Sequence, residues 1–411
     1  MGLHKLGETL SEELTVLHNE GRAKGKEDII TKVIKPHDTK GPRFLIKGYG
    51  EKEFLKMNSN SYLGMSLEEE VIQAEEEASR SFGVGPGAVR FINGTYGPHR
   101  DLEKRLAAFH NREDAVIFSA AYATMIGVFV PLTTDETIII SDELNHNCII
   151  NSIRLSRPKD KKLYRHLDLG QLESHIKESI GYARRVLIIT DGVFSMRGDY
   201  APLNKISGII AKYNNEFPED IIFMVDDSHG VGAFGKTGRG TEEITNSAPV
   251  DILIGTLGKA FGVNGGYVTT TEQVTKYFRE KSVTYIYSNP ITVGEAAAAH
   301  KVIDILNSEA GIERLAHLSR LTEQFENGLK QLGFEIIESE HPIVPLMARD
   351  TETTINIVNY LKQNGILATG LNFPVVPKGD QCIRFQVNAN HTESDIKTVL
   401  SVLEGYKKQS Q

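Results

Sequence analysis

Between about residue 100 and residue 290 the chain alternates short apolar runs with helix-like stretches, and this alternation limits the fold more than any other feature. The runs Ala115–Phe118, Thr137–Ile140, Val186–Thr190, Ile221–Val225, Ile252–Gly255 and Tyr267–Thr270 read as buried strands. A strand that is apolar along most of its length has both faces covered. Asp101–His110, Gln171–Ser179 and Leu203–Tyr213 lie between these runs and read as helices. Strand–helix alternation predicts an α/β fold, a large domain with a mostly parallel sheet flanked by helices on both faces. Open sheets of this kind bind ligands outside the carboxyl ends of their strands, so residues there are the first candidates for function.

The pattern changes on either side. Residues 1–35 read as helical and polar, with an apolar face through Leu3, Leu6, Leu10 and Leu14. After Pro290 two long helices (about 291–308 and 309–332) precede short strands at 334–339, 343–348, 366–371 and 383–387 and a final helix, which is the pattern of a smaller α+β domain. The expected division is an N-terminal helical arm (1–55), a large domain (56–290) and a small C-terminal domain (291–411). Residues 21–47 are locally basic: Arg22, Lys24, Lys26, Lys32, Lys35, Lys40, Arg43 and Lys47 face only Glu27, Asp28 and Asp38. A solvated arm is one reading, and a rim that attracts an anionic substrate is the other.

Composition removes whole classes of function. A net charge of −8 does not suggest a nucleic-acid partner. Two cysteines, Cys148 and Cys382, supply neither a disulfide framework nor metal-ligand spacing, and suit a reducing cytoplasm. The N-terminus lacks an apolar signal core, and no apolar run approaches the ~20 residues of a membrane span.

One motif competes for attention. Gly230-Val-Gly-Ala-Phe-Gly235 matches G-x-G-x-x-G, and its continuation through Lys236 and Thr237 matches the nucleotide-binding P-loop pattern. A P-loop must run into a helix whose first amides hold phosphate. Gly238-Arg239-Gly240 follows here, a poor helix start, and Asp226-Asp227-Ser228-His229 puts charge where phosphate would approach. A P-loop nucleotide enzyme is therefore the rival of a different class.

Three features sit at the ends of expected strands: Val225-Asp226-Asp227-Ser228-His229, Gly255-Thr-Leu-Gly-Lys259 and Ser141-Asp-Glu-Leu-Asn-His146. Each is weak alone, since a lone histidine is more often a satisfied core residue and a lysine among glycines is usually a solvated loop. Together they match the needs of pyridoxal 5'-phosphate (PLP). An amine must form an imine with the cofactor, and Lys259 supplies one. A carboxylate must keep the pyridine nitrogen protonated so that the ring can accept electrons, and Asp226 is the candidate. His229 suits the ring hydroxyl, and His146 is available as an aromatic plate over the ring. Thr256 and the surrounding glycine-rich backbone suit the phosphate.

With these residues in place, the chain resembles the α-oxoamine synthase family of fold-type I PLP enzymes over nearly its whole length. The matching motifs are Asn60-Ser-Tyr-Leu-Gly64, Thr190-Asp-Gly-Val-Phe-Ser-Met196, Val225–His229, Gly255–Lys259 and Ile383-Arg384. Such enzymes join an amino acid to an acyl-CoA. The resemblance implies that Asn60 meets the amino-acid carboxylate or the acyl intermediate and that Ser195 contacts the ring hydroxyl region. It implies that Arg384 clamps the substrate carboxylate, which suits its bidentate fork, and that Tyr122 and Ala123 lend amides to the phosphate. It also implies that Ser288 reaches the phosphate of a neighbouring subunit, and hence a homodimer with shared sites. Lys259, freed by the incoming amine, is the expected general base, with Asn60 and His146 stabilising the oxyanion.

Within the family, Ala88-Val-Arg-Phe-Ile-Asn-Gly-Thr95 and Phe373-Pro-Val-Val-Pro-Lys-Gly379 look most like the glycine C-acetyltransferase branch, which pairs glycine with acetyl-CoA. The 8-amino-7-oxononanoate synthases, which use alanine and pimeloyl-CoA, are the near alternative. Arg197 could read an acyl chain that ends in a carboxylate. A silent homologue acting only as a subunit partner is the third reading, against which Lys259 and Asp226 argue.

Overall fold

A computed structural model describes residues 2–20, 22, 23, 25 and 27–409. Lys24 and Lys26 of the basic segment lie outside the described residues. Two compact units are present. One comprises Met1–Ser59, Leu321–Glu338 and Ile343–Gln411, and the other Asn60–Arg320 and Ser339–Pro342. The expected division into an arm 1–55 and domains 56–290 and 291–411 therefore differs from the compact units in two places.

The first place is the N-terminus. A helix spans His4–Asn19, but the expected continuation to residue 35 is replaced by a strand, β1 (Ile30–Ile34). Four of its five residues, Ile30, Thr31, Val33 and Ile34, are β-branched, which favours extended backbone. β1 pairs antiparallel with β2 (Arg43–Ile46), and β2 with β3 (Glu53–Lys56). Arg43 of the basic segment is not a rim cation. It is buried, and its Nη2 lies 2.5 Å from Asp395.

The second unit holds the sheet that the apolar runs predict. Its seven strands are β4 (Asp114–Phe118), β5 (Thr137–Asp142), β6 (Asp160–Tyr164), β7 (Arg185–Asp191), β8 (Ile221–Asp226), β9 (Ile252–Thr256) and β10 (Gly266–Thr270), in the order β4-β10-β9-β8-β7-β5-β6. The four pairings from β9 through β6 are parallel, and β10 runs antiparallel to both β9 and β4. Alternate side chains enter separate cores. Ile138, Ile140, Val186, Ile188, Phe223 and Val225 pack into one, and Ile139, Leu187, Ile189 and Met224 into the other. Both faces are thus covered, which is why the strands read as unbroken apolar runs. β6, whose sequence Asp-Lys-Lys-Leu-Tyr is largely exposed, is an edge strand and gave no apolar signal.

The second difference follows Pro290. The helix Val293–Leu306 buries an alanine-rich face, including Ala296, Ala298 and Ala299, against the helices Glu69–Phe82 and Gly97–Phe109. It belongs to the unit with the large sheet. The helix Glu309–Gln331 begins in that unit and ends in the other. In the first unit β11 (Ile343–Met347), β12 (Ile366–Leu367), β13 (Thr369–Leu371) and β14 (Cys382–Gln386) follow, and the helix Glu393–Gln409 closes the chain. β12 pairs parallel with β3, joining the N-terminal strands to the C-terminal segment. Residues 334–339 contribute only an isolated bridge, Ile336 to Leu346. Among the described residues no helix is long and apolar enough to cross a membrane.

Candidate active site

The carboxyl ends of the parallel strands carry the polar residues. β7 and β8 end in register, with Asp191 beside Asp226. One Asp226 oxygen accepts the Ser228 amide at 3.1 Å, and the other accepts the Cys148 thiol at 3.5 Å. Asp191 accepts the His146 amide at 3.0 Å, while its own amide donates to Asn145 Oδ1 at 2.8 Å. Asn145 Nδ2 in turn donates to Ser141 Oγ and to the Ile189 carbonyl, each at 2.9 Å. These bonds staple the turn after β5 to the end of β7 and set His146 as the N-cap of the helix Asn147–Leu155, where Nδ1 accepts the Cys148 amide.

Charge in this cluster is tightly coupled. Burial, then the charge of Asp226, holds the Asp191 carboxyl well above the usual carboxylate range, against the pull of Lys259. Burial lowers the His146 pKa, with Asp226 opposing and Lys259 reinforcing. Burial and then Asp226 and Asp191 raise the Cys148 thiol, so it stays protonated and can donate. The lysine cation thus acts on Asp191, His146 and Cys148 together.

Lys259 stands on a tight loop after β9. Leu257 donates its amide to Gly265, Val263 to Leu257 and Gly262 to Lys259. Leu257, Ala260 and Phe261 are buried and pin the loop, and Lys259 is half-buried between them. Gly262 has φ +74°, and a Cβ there would lie 2.5 Å from the Ser66 amide nitrogen, so only glycine permits this close approach.

A second group of donors collects at the start of the helix Ala121–Leu132. Ala120 caps it without a side-chain hydrogen bond, and the first helical bond runs from Thr124 to Ala120. The amides of Ala121, Tyr122 and Ala123 therefore point out of the helix without intrahelical acceptors, the arrangement that binds phosphate. Gly266 of β10 is in register with Phe118 and Thr256, and a Cβ on it would meet Ala121 Cα at 2.4 Å. The missing side chain brings the helix start beside Thr256. Thr256 Oγ1 donates to the Gly265 carbonyl and accepts the Gly258 amide at 3.1 Å. Ser119 and Ser288 hydroxyls lie 3.4 Å apart. Ser228 Oγ is buried with no partner among the described residues. Unfilled donors, glycine-lined space and a strand-end carboxylate suit a phosphorylated pyridine ring.

Other expected residues have clear places. His229 is buried, with Nδ1 2.7 Å from the Tyr62 hydroxyl. Asn60, half-buried, opens the loop that carries Tyr62. Ser195 is half-buried in the turn after β7. The Tyr122 hydroxyl donates to Asn147 Oδ1 at 2.9 Å and accepts from Asn151, so its ring is tied to the next helix. Arg384 lies on β14, in the other compact unit, opposite Pro345 and Thr369 in register. Arg197 is paired with Asp199 at 2.9 Å.

The P-loop reading fails on geometry. Asp227 is fully buried and accepts both the amide and the hydroxyl of Thr241, at 2.7 and 2.6 Å. Burial pushes its pKa up to about 7. A Cβ at Gly230 or Gly240 would come within 2.2 Å of its carboxylate oxygens, so these glycines let the loop wrap a carboxylate rather than a phosphate. Thr237 donates its amide and hydroxyl to Glu243, and the helix that follows, Thr241–Ile244, has only four residues.

Sequence reasoning did not single out Tyr62, Asp191, Asn145 or Cys148. Tyr62 and Asp191 stand inside motifs already quoted, and an aspartate ending a strand next to the one ending in Asp226 was a readable signal. Cys148 gave no signal, because its contact with Asp226 spans 78 positions.

A strand-end carboxylate pair, a lysine on the adjacent loop and a helix-start phosphate cradle on a mostly parallel sheet define a fold-type I PLP transferase. The chain belongs to the aminotransferase class I and II family, whose model matches residues 52–403, and within it to the PLP-dependent α-oxoamine synthases. It is 38% identical over 395 residues to the 8-amino-7-oxononanoate synthase of Thermosipho melanesiensis, covering 96% of each chain. It is 37% identical over 396 residues to the mitochondrial 2-amino-3-ketobutyrate coenzyme A ligase of Bos taurus, covering 96% of this chain and 90% of that one. Its fold matches a Sphingomonas wittichii serine palmitoyltransferase with a TM-score of 0.88 at 25% identity, over 100% and 98% of the two chains. Another serine palmitoyltransferase, solved with PLP as its internal aldimine, matches at 0.86 with 24% identity over 100% of this chain and 99% of that one.

Proposed function

We propose that the enzyme condenses glycine with acetyl-CoA, giving 2-amino-3-oxobutyrate and CoA, and that the reaction is reversible. PLP, when bound, supplies an electron sink for the pair left on the amino acid's Cα. In this reading Lys259 Nζ would hold the cofactor, and the same amine would serve as the base that takes the Cα proton. Asp226 keeps a proton on the ring nitrogen, a task suited to a carboxylate held by the Ser228 amide and the Cys148 thiol. His146 would lie against the ring face and, with Asn60, would donate to an oxyanion on the acyl group. His229 and Ser195 serve the ring hydroxyl. Tyr122, Ala123 and Thr256 serve the phosphate, and Ser288, whose hydroxyl lies 3.4 Å from Ser119 of its own chain, is assigned by the family resemblance to the phosphate of a partner in a homodimer. Arg384 binds the substrate carboxylate. The two free cysteines suit a reducing cytoplasmic setting.

The observation that carries the acetyl over the pimeloyl reading is the Arg197–Asp199 pair. An arginine whose Nε is already paired with Asp199 at 2.9 Å is a poorer reader of a second carboxylate than one without such a partner. The alternative, alanine plus pimeloyl-CoA, rests on relatives named 8-amino-7-oxononanoate synthase that are 37–38% identical over 94–96% of this chain. CoA release measured with glycine, alanine and serine against acetyl-, pimeloyl- and palmitoyl-CoA tests the choice. Glycine with acetyl-CoA should give the highest kcat/KM, and the product should decarboxylate to aminoacetone. L-Alanine should be used slowly, since excluding one methyl group discriminates by only ~1–3 kcal/mol. A preference for pimeloyl-CoA with alanine rejects the acetyltransferase reading.

A further inference from the structure

We propose that Tyr62 is a positioning residue, whose hydroxyl holds His229 in the neutral tautomer that carries its proton on Nε2 and so makes that edge a donor to an anionic oxygen of the cofactor ring. The proposal rests on the reading above that Asp226, His229 and Lys259 serve PLP.

The contact is short and dry. Tyr62 is fully buried, His229 is nearly so, and 2.7 Å separates Oη from Nδ1. A phenol is ordinarily protonated well above neutral pH and is a stronger donor than acceptor. When it donates to Nδ1, that nitrogen must present its lone pair, and the single proton of a neutral imidazole goes to Nε2. The reverse tautomer would aim an Nε2 lone pair at any anion on the far edge of the ring, which is repulsive.

Two further features fix the arrangement. Tyr62 has φ +36°, in the left-handed region that a bulky L-residue rarely adopts. Such backbone persists where surrounding structure over-determines a side-chain position, and it collects at functional sites. The neighbouring wall is His341, fully buried, whose ring meets Tyr62 edge-on at 5.3 Å and whose Nε2 bonds to the His229 carbonyl at 2.9 Å. Tyr62 thus holds the His229 ring and His341 its backbone.

A double-mutant cycle on PLP binding tests the idea. Wild type, Tyr62→Phe, His229→Gln and the double variant are titrated with PLP, following the visible absorbance of bound cofactor and ultrafiltration. With His229 present, Tyr62→Phe should weaken PLP binding roughly 5- to 10-fold and move the visible band, the loss expected for one ordinary neutral hydrogen bond. In the His229→Gln background an amide N–H is presented whatever residue 62 is, so the same substitution should change affinity less than about 2-fold. Equal losses in both backgrounds, or no loss in either, overturn the proposal. A comparison that leaves Tyr62 intact checks it independently. His229→Gln, whose amide reaches the Nε2 position, should retain more PLP affinity than His229→Asn, whose amide reaches only Nδ1, and the opposite order overturns it. Borohydride reduction of wild type separates the two levels of failure. No label on Lys259 rejects the site reading itself, whereas a label on Lys259 with equal losses in both backgrounds rejects only the role of Tyr62.

Discussion

His166 offers a prediction that depends on no assignment of function. Its ring bridges two carboxylates, with Nδ1 3.2 Å from Asp142 and Nε2 3.2 Å from Asp199, and it sits edge-on to Phe194 at 4.4 Å. Asp142 ends β5, and Asp199 closes the turn that carries Ser195, so the imidazole ties the two segments together. Burial alone would lower its pKa, but the hydrogen bonds to Asp142 and then Asp199 outweigh it and raise the pKa to about 9. The folded value lies above the unfolded one, so the protonated ring stabilises the fold. That contribution is fully present below pH ~6.5 and is lost as pH rises through about 9. At ~1.4 kcal/mol per pKa unit the linkage would reach ~3 kcal/mol, and solvent screening of a partly open ring reduces it to ~1–2 kcal/mol. His166→Asn keeps one donor and loses the charge. Asp142 retains the Leu144 and Leu167 amides, and Asp199 retains Arg197, so neither carboxylate is stranded. Thermal melts of apoprotein, which exclude cofactor release, should show the variant a few degrees below wild type at pH 6, with the gap closing by pH 10. A gap that is constant from pH 6 to 10, or that widens with pH, would show that the ring is neutral in the fold and refute the reasoning.

Three further outcomes are expected. Borohydride reduction and peptide mapping should place the pyridoxyl label on Lys259, and a label on Lys236 would move the site to the glycine loop. Asp226→Asn should keep bound PLP and lose most turnover, because an amide cannot hold a proton on the ring nitrogen, and an active Asn variant would sink that role. Arg384→Lys keeps the charge and loses the bidentate fork, so glycine affinity should fall roughly 10-fold, and unchanged glycine binding would reject the residue.

Local sequence determined the sheet and most of the candidate site. Six of the seven strands of the large sheet announced themselves, because burial on both faces demands apolar side chains at every position, as Ile138, Ile139 and Ile140 illustrate by entering two different cores. Lys259, Asp226, His229 and His146 could be singled out as candidates because polar residues just past apolar runs stand out in sequence, and the fold puts Asp226 at the end of β8 and Lys259 on the loop after β9. Where a segment packs depends instead on surfaces remote in sequence. The N-terminal strands joined the C-terminal unit through the pairing of Leu55 with Ile366, and Arg43 proved to be an internal ion pair because Asp395 lies 352 positions away. The glycine pattern at Gly230–Gly235 was ambiguous in sequence, and the buried Asp227 carboxylate decided it, since a glycine marks close approach without saying what approaches. The Tyr62 hydroxyl on His229, the thiol beside Asp226 and the carboxylates around His166 likewise arise from contacts between segments remote in sequence. Hydrogen bonds and desolvation act over a few ångströms of space, and only the folded chain sets those distances.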